Sequence, residues 1–510
     1  MKRLLAILSL IAFIWGPALR AEEIRSFDKE AYLKTAAVPI ELRINMVDCI
    51  AMALKNNSEI LIKRISPLIA DANVRTEKGK FEPKFSFDFQ NEFDVDNSDS
   101  PLFGPDPTKT RTGIFNFGYD EKFVTGTRLS VDFNNTRTSS NLNPLIQSVN
   151  PMYDSKATVT VVQPLLKGFG IIVNKADFLI ARNNKKKSVQ DLAKELISVL
   201  TEVKKGYYDF QYSQELYKVA LASLKRAQDL YDINKERYGK GLASNVDILQ
   251  SEAEVARLEQ LLLAAENMMK LSEDNLKFIT NLVDDPGLWN ASIVLLDVLK
   301  YEKKEPDLIQ AIMKAFVHRP DYEAAKLDLK NRDITVIYNR NGMLPTLDLT
   351  GSLGFNGLGN TYEKDLGHVG GGKYRDWMVG VSVKMPLFND EEKGKYEKAK
   401  FEKQQALIAF KRLEQKMILE VRDAVRNIDI KYRMLEASQK SRKAEAENYD
   451  AQETRFRAGL VSTLDMRDYQ ERLARAEANL VKSEIDYNVA LLELSKVQGT
   501  TLIEDNIKIE

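Results

Sequence analysis

Hydrophobic and polar residues alternate in several short stretches of this chain. Phe85, Phe87 and Phe89 interleave with Ser86, Asp88 and Gln90. Leu129, Val131 and Phe133 interleave with Ser130, Asp132 and Asn134, and Val379, Val381 and Val383 with Gly380, Ser382 and Lys384. A period of two gives a strand with one apolar and one polar face. Polar stretches at 97–112, 138–155 and 357–375 read as surface loops. Alternating strands of about ten residues with long loops are the signature of transmembrane β-barrels. A soluble sandwich alternates in the same way.

Elsewhere the pattern is helical. Residues 178–238 and 392–456 are rich in Ala, Glu, Lys, Leu and Arg and contain no proline. At 1.5 Å per residue each predicted helix is about 90–100 Å long. Helices of that length read as staves of a coiled coil or helical barrel. Each ends at a Gly-Leu pair, and a second helix follows over residues 244–282 and 462–497.

The chain repeats itself. Ala53-Leu54-Lys55-Asn56-Asn57-Ser58-Glu59 corresponds to Ala315-Phe316-Val317-His318-Arg319-Pro320-Asp321, and at the same offset Pro83 corresponds to Pro345. Gln163-Pro164-Leu165-Leu166 corresponds to Met385-Pro386-Leu387-Phe388. Arg237-Tyr238-Gly239-Lys240-Gly241-Leu242 corresponds to Arg455-Phe456-Arg457-Ala458-Gly459-Leu460. The order is the same in both halves, which marks a duplication. The predicted organisation is a first repeat over 22–283, a linker over 284–306 and a second repeat over 307–510. Each repeat holds a helix, strands and a long helical hairpin. The first is much longer between its two prolines. Residues 112–124 and 127–137 flank Val124-Thr125-Gly126-Thr127 and fit an extra hairpin there, either in the sheet or above it.

Residues 1–21 read as a secretory signal peptide. A basic start, Met1-Lys2-Arg3, precedes a short apolar run and a small-residue exit at Ala21. The run is too short for the roughly 20 residues of a spanning helix. Membrane contact beyond it is therefore expected to be peripheral or made by strands. Two strands per repeat give about four per chain. Four cannot close a barrel, and open edges are not tolerated in lipid, so several copies are expected to share one.

Composition narrows the chemistry. The chain has 74 basic and 74 acidic side chains, one cysteine and two histidines. Zero formal net charge argues against nucleic acid as a partner. One cysteine and two histidines leave little for a metal cluster. Gly370-Gly371-Gly372 is not followed by the Lys-Ser/Thr pair of a phosphate loop. No nucleophile, base and oxyanion group converge. No catalytic residue, cofactor or metal is expected.

The Gly-Leu breaks attract attention for a different reason. Gly241 and Gly459 can end the long helices in a left-handed conformation. Ser244 and Ser462 are natural N-caps for the return helices, with Asp247 and Asp465 placed as in a capping box.

Taken together, these residues resemble the TolC-type outer-membrane efflux protein family. The resemblance rests on Arg319-Pro320-Asp321-Tyr322-Glu323-Ala324-Ala325, Leu344-Pro345, Gln163-Pro164-Leu165, and the twin motifs Gly241-Leu242-Ala243-Ser244-Asn245-Val246-Asp247 and Gly459-Leu460-Val461-Ser462-Thr463-Leu464-Asp465. It implies an α+β membrane fold: a homotrimer whose twelve strands form an outer-membrane β-barrel, continued by twelve helical staves through the periplasm. It implies a passive exit duct of a tripartite efflux or type I secretion system, with a periplasmic adaptor and an inner-membrane pump as partners. The other reading of the pattern is a non-channel surface coiled-coil protein anchored by β-strands. By the resemblance, Asp465 and Asp468, with Asp247 nearby, ring the periplasmic entrance. Gly241, Leu242, Ser244, Gly459, Leu460 and Ser462 form the hairpin tips that meet the adaptor. Val461 and Phe456 depart from the family pattern, which has arginine and tyrosine there.

Overall fold

The computed structural model describes residues 41–97, 107–145, 147–282, 286–297 and 301–508. The expected signal peptide over 1–21 lies outside them. The described chain resolves into two compact units, each drawn from both repeats.

One unit comprises residues up to Ser58 together with Val199–Glu305 and Asn427–Glu493. Strand β1 (Glu41–Ile44) and helix α1 (Met46–Asn56) open its described part. Asn45 caps α1 through a reciprocal capping box with Asp48. The unit also contains most of the long helix α4 (Ala176–Gly239), its return partner α5 (Asn245–Ile279), the short α6 (Pro286–Trp289) and strand β6 (Ser292–Leu295). β1 and β6 pair in parallel, so the linker region carries regular structure. Asp297, just after β6, accepts hydrogen bonds from the Met46 amide at 2.8 Å and the Tyr207 hydroxyl at 2.9 Å. Val199, Leu200, Val203, Tyr207 and Phe210 of α4 are buried with Leu276 and Ile279 of α5. Cys49 is buried here too, and burial with nearby carboxylates pushes its thiol up to about 12. It stays a protonated, unreactive core group.

The second unit comprises Glu59–Ser198, Pro306–Arg426 and Leu494–Glu510. Its helices are α2 (Ser58–Gly79), α3 (Ile171–Asn174), α7 (Leu308–His318), α8 (Pro320–Gly342), α9 (Tyr362–Gly371), the first half of α10 (Asp390–Arg457), the end of α11 (Thr463–Gln498) and α12 (Thr501–Glu504). The two long helices run two residues beyond the expected start and about one beyond the expected end. Arg319 links three of these elements. It bonds Asp321 at 2.7 Å and Glu420 at 2.5 Å, and reaches the Val497 carbonyl. Pro320 occupies the first turn of α8, where its missing N–H has no helical partner to lose.

This unit carries the sheet. Its order is β2 (Lys84–Asp96), β3 (Thr108–Lys122), β4 (Arg128–Ser140), β5 (Met152–Pro164), β7 (Thr346–Gly359) and β8 (Arg375–Lys384), antiparallel throughout. The expectation of about four strands is therefore corrected to six. The extra hairpin lies in the sheet, as β3 and β4, because β2 pairs with β3 along its full length and β4 pairs with β5. A hairpin standing above the sheet would leave those ladders unmade.

Directly opposed residues share a face, so the register defines the two surfaces. One row runs Phe87, Phe117, Phe133, Ala157, Phe355. The adjacent row runs Asp88, Asn116, Asn134, Lys156, Asn356. The alternation seen in single strands thus becomes one apolar and one polar surface, except that Asn135 and Ser155 bring polar groups to the otherwise apolar face where α9 packs. Polar groups crowd their own face: a Cβ on Gly118 would collide with Ser86, and one on Gly354 with Asp376. On the apolar face, Gly113 and Gly351 have open space.

The stretch over 357–375, expected as loop, instead holds α9. Thr361 caps it, and Gly372 ends it in the left-handed region. Asp365 is fully buried and bonds the Ser155 amide at 3.2 Å and the Ser155 hydroxyl. Gly357 and Gly359 make room, since a Cβ on either would strike α9. Tyr362 packs against Phe115 and Tyr153. Trp377 on β8 is exposed.

Candidate functional site at the helical hairpin tips

Both hairpin tips lie in the first unit, and each breaks its long helix with the same backbone device. Gly241 has φ 70° and Gly459 φ 82°. The Leu242 amide reaches back to the Arg237 carbonyl and the Leu460 amide to the Arg455 carbonyl, each at 2.9 Å. The Gly241 and Gly459 amides bond the Tyr238 and Phe456 carbonyls. This is the Schellman pattern, which satisfies carbonyls the helix end leaves open. Leu242 and Leu460 are displayed outward, 68% and 70% exposed.

The return helices start on the predicted serines. Ser244 accepts from the Asp247 amide, and Asp247 accepts from the Ser244 amide at 2.9 Å and its hydroxyl at 2.7 Å. Those bonds, first the hydroxyl and then the backbone, hold the Asp247 carboxyl below its usual range. Ser462 accepts from the Asp465 amide at 3.1 Å and donates its hydroxyl to the carboxylate at 2.6 Å. Asp468 pairs with Arg472 one turn on, at 2.7 Å. Asp465 and Asp468 are both exposed, whereas Asp247 is half-buried. The predicted carboxylates are thus at the tips, each with a local partner of its own.

The structure joins the tips through residues that were not expected to form the site, Arg237 and Phe456 of the repeat motifs among them. Arg237 donates to the Phe456 carbonyl at 3.2 Å and lies 5.0 Å from the centre of its ring. Phe456 is buried with Leu230 and Met466, flanked by Ile233, Tyr449 and Val461. Asn234 donates to Ser251 at 2.7 Å and accepts from Thr463 at 3.3 Å, tying three helices together. Deeper in the unit, Arg226 pairs with Glu477 at 3.0 Å, both side chains largely buried. The signal for Arg237 was present but ambiguous, because Arg455 occupies the matching place in the other repeat.

What the arrangement offers is a pair of rigid, solvent-facing turns bearing leucines and carboxylates. Among the described residues, no group of three or more His, Cys, Asp or Glu side chains could hold a metal ion. No described helix is long and apolar enough to cross a membrane.

Known proteins share this fold. The CmeC outer membrane channel of Campylobacter jejuni superposes with a TM-score of 0.65 at 18% identity, over 91% of this chain and 90% of that one. The fold they share is mainly helical and built from repeats. The family described as "Outer membrane efflux protein" matches residues 128–282 and 311–500, and the chain belongs to it. Its place is the cell outer membrane. Among curated relatives, the probable efflux pump outer membrane protein TtgC of Pseudomonas putida is 22% identical over 59% of this chain and 60% of its own length. The outer membrane protein TolC of Vibrio cholerae is 23% identical over 60% of this chain and 69% of its own. The chain thus matches about three-fifths of the length of the first of these relatives.

Proposed function

We propose that this chain is the passive outer-membrane exit duct of a tripartite efflux or type I secretion system. It works as a homotrimer, docked to a periplasmic adaptor and an inner-membrane pump, and performs no catalytic step. The observation that carries this reading is the sheet: the row Phe85, Tyr119, Val131, Val159, Leu353 and Trp377 makes one face apolar across all six strands, the opposite face is polar, and each outer strand has one unpaired edge in the single chain. An apolar surface of that kind suits lipid, and a polar one suits a water-filled lumen. A surface stalk needs no polar inner face, and this favours the duct over the anchored coiled coil.

In this reading residues 1–21 direct export, 22–283 and 307–510 are the two repeats, and 284–306 link them. Gly241, Leu242, Ser244, Gly459, Leu460 and Ser462 meet the adaptor. Asp465 and Asp468, supported by Asp247, form a ring of carboxylates at the entrance. Residues three apart share a helix face, and such a ring favours cations over anions. The capping bonds of Asp465 and the Arg472 partner of Asp468 soften that field without removing it.

Reconstitution in planar bilayers tests both layers. The wild-type protein is expected to give discrete cation-selective openings, and Asp465→Ala/Asp468→Ala to lower the cation preference and weaken divalent block. A preparation that inserts but never conducts overturns the duct. Unchanged selectivity in the double variant removes the two aspartates from the entrance.

A further inference from the structure

We propose that the barrel closes by pairing the β8 edge of one copy with the β2 edge of the next, so that three copies build about eighteen strands, not twelve. The inference rests on the trimeric duct above and adds how the copies join and how wide the wall becomes.

The edges are the first observation. β2 is paired only with β3, and β8 only with β7. Every residue of β2 is exposed, and β8 is exposed at all but Gly380. Lipid does not tolerate unpaired strand edges, and six strands are too few to close a barrel. The occupant of each edge must therefore be another strand.

A second copy supplies one with the right direction. Six antiparallel strands leave β8 running opposite to β2, so head-to-tail closure is antiparallel at every seam. The faces also match. Phe85, Phe87 and Phe89 carry the apolar face of β2, and Trp377, Val379, Val381 and Val383 carry that of β8. Directly opposed side chains share a face. Odd-numbered residues of β2 must therefore face odd-numbered residues of β8.

The register within the chain narrows this further. A straight row across the sheet leads from Lys84 through Asp120, Ser130, Thr160 and Ser352 to Met378. Suppose Phe87 faces Val381 of the next copy. One crossing of a protomer then shifts the row by about six residues along the strand. With spacings of about 3.4 Å per residue and 4.8 Å per strand, that is a tilt of about 35°. Facing Val383 instead shifts the row by about eight residues, a tilt of about 43°. Barrel strands tilt about 35–45°, so these two registers fit and a smaller shift does not. Barrel diameter grows almost linearly with strand number, so this wall is about half as wide again as one of twelve strands.

Paired cysteines test the seam. In the full chain carrying Cys49→Ala, Phe87→Cys is combined with Val381→Cys or with Val383→Cys, and outer membranes are treated with a short membrane-permeable bis-maleimide. Phe87→Cys with Ser382→Cys, whose side chains would point to opposite faces, is the control. One odd-numbered pair is expected to give covalent dimers and trimers and nothing larger, with at least tenfold less product from the control. An intact trimer by native mass with neither odd pair bridged overturns the seam while leaving the trimeric duct standing. A ladder that stops at dimers overturns the eighteen-strand count. A protein that is only monomeric in the membrane sinks this inference and the trimeric reading together.

Discussion

The two hairpin tips share a backbone and differ in their surroundings. Each ends its long helix on a left-handed glycine, bonds the following leucine amide back to an arginine carbonyl, and restarts on a serine. Yet Tyr238 of the first tip is 49% exposed, while its counterpart Phe456 is 1% exposed. Arg237 lies over Phe456, whereas its counterpart Arg455 makes a 3.4 Å contact with Gln452 on its own helix. The duplication preserved the helix ends, which are local, and let the packing diverge. The second tip buries its aromatic side chain, and Arg237 of the first holds it there.

The sharpest way to break that comparison is to remove the ring. Phe456→Ala is expected to cost about 3–5 kcal/mol, read as earlier loss of hydrogen-exchange protection around Leu460–Met466. Tyr238→Ala should stay within about 0.5 kcal/mol. Equal losses at the two positions would show that the tips are equivalent after all.

A smaller difference is expected for the arginines. Arg237→Ala removes a hydrogen bond and a cation–π contact and should destabilise by about 1–2 kcal/mol. Arg455→Ala should be nearly neutral by the same chemical-denaturation measurement. Arg237→Lys, which keeps the charge but loses the planar fork, is expected to fall between the two.

The smallest contrast lies in the caps. Ser244→Ala and Ser462→Ala should each cost about 1 kcal/mol, but their pH dependence should differ. The folded Asp247 carboxyl is held below its ordinary value by Ser244. Its stabilisation is thus present above the unfolded carboxylate range and is lost as pH falls through the lower, folded value. Local exchange protection at the start of α5 is expected to fall on acidification in the wild type, and that dependence to weaken in Ser244→Ala, which loses the hydroxyl but keeps the backbone amide bond. A pH response unaffected by Ser244→Ala would place the depression of Asp247 elsewhere.

Much of this molecule could be read one residue at a time. The strands at Phe85, Leu129 and Val379 announced themselves by parity, and the long helices by composition and missing prolines. Gly241, Gly459, Ser244 and Ser462 did so because caps depend on residues within one turn of each other. The four-strand estimate fell short for an equally physical reason. Residues 112–137 alternate like any hairpin, and whether a hairpin joins a sheet depends on a ladder with β2 that lies outside its own sequence. Helix α9 was hidden likewise, because its anchor is Asp365 against Ser155, more than two hundred residues away.

By itself, then, the sequence determined the duplication, the periodicities, the turns and the family, all of which depend on neighbours in the chain. Only the tertiary structure decided that the sheet has six strands, that Arg237 rather than Arg455 is the clamp, and that Phe456 rather than Tyr238 is buried. Those choices separate identical local motifs by what packs against them, and packing partners distant in sequence leave no periodic trace.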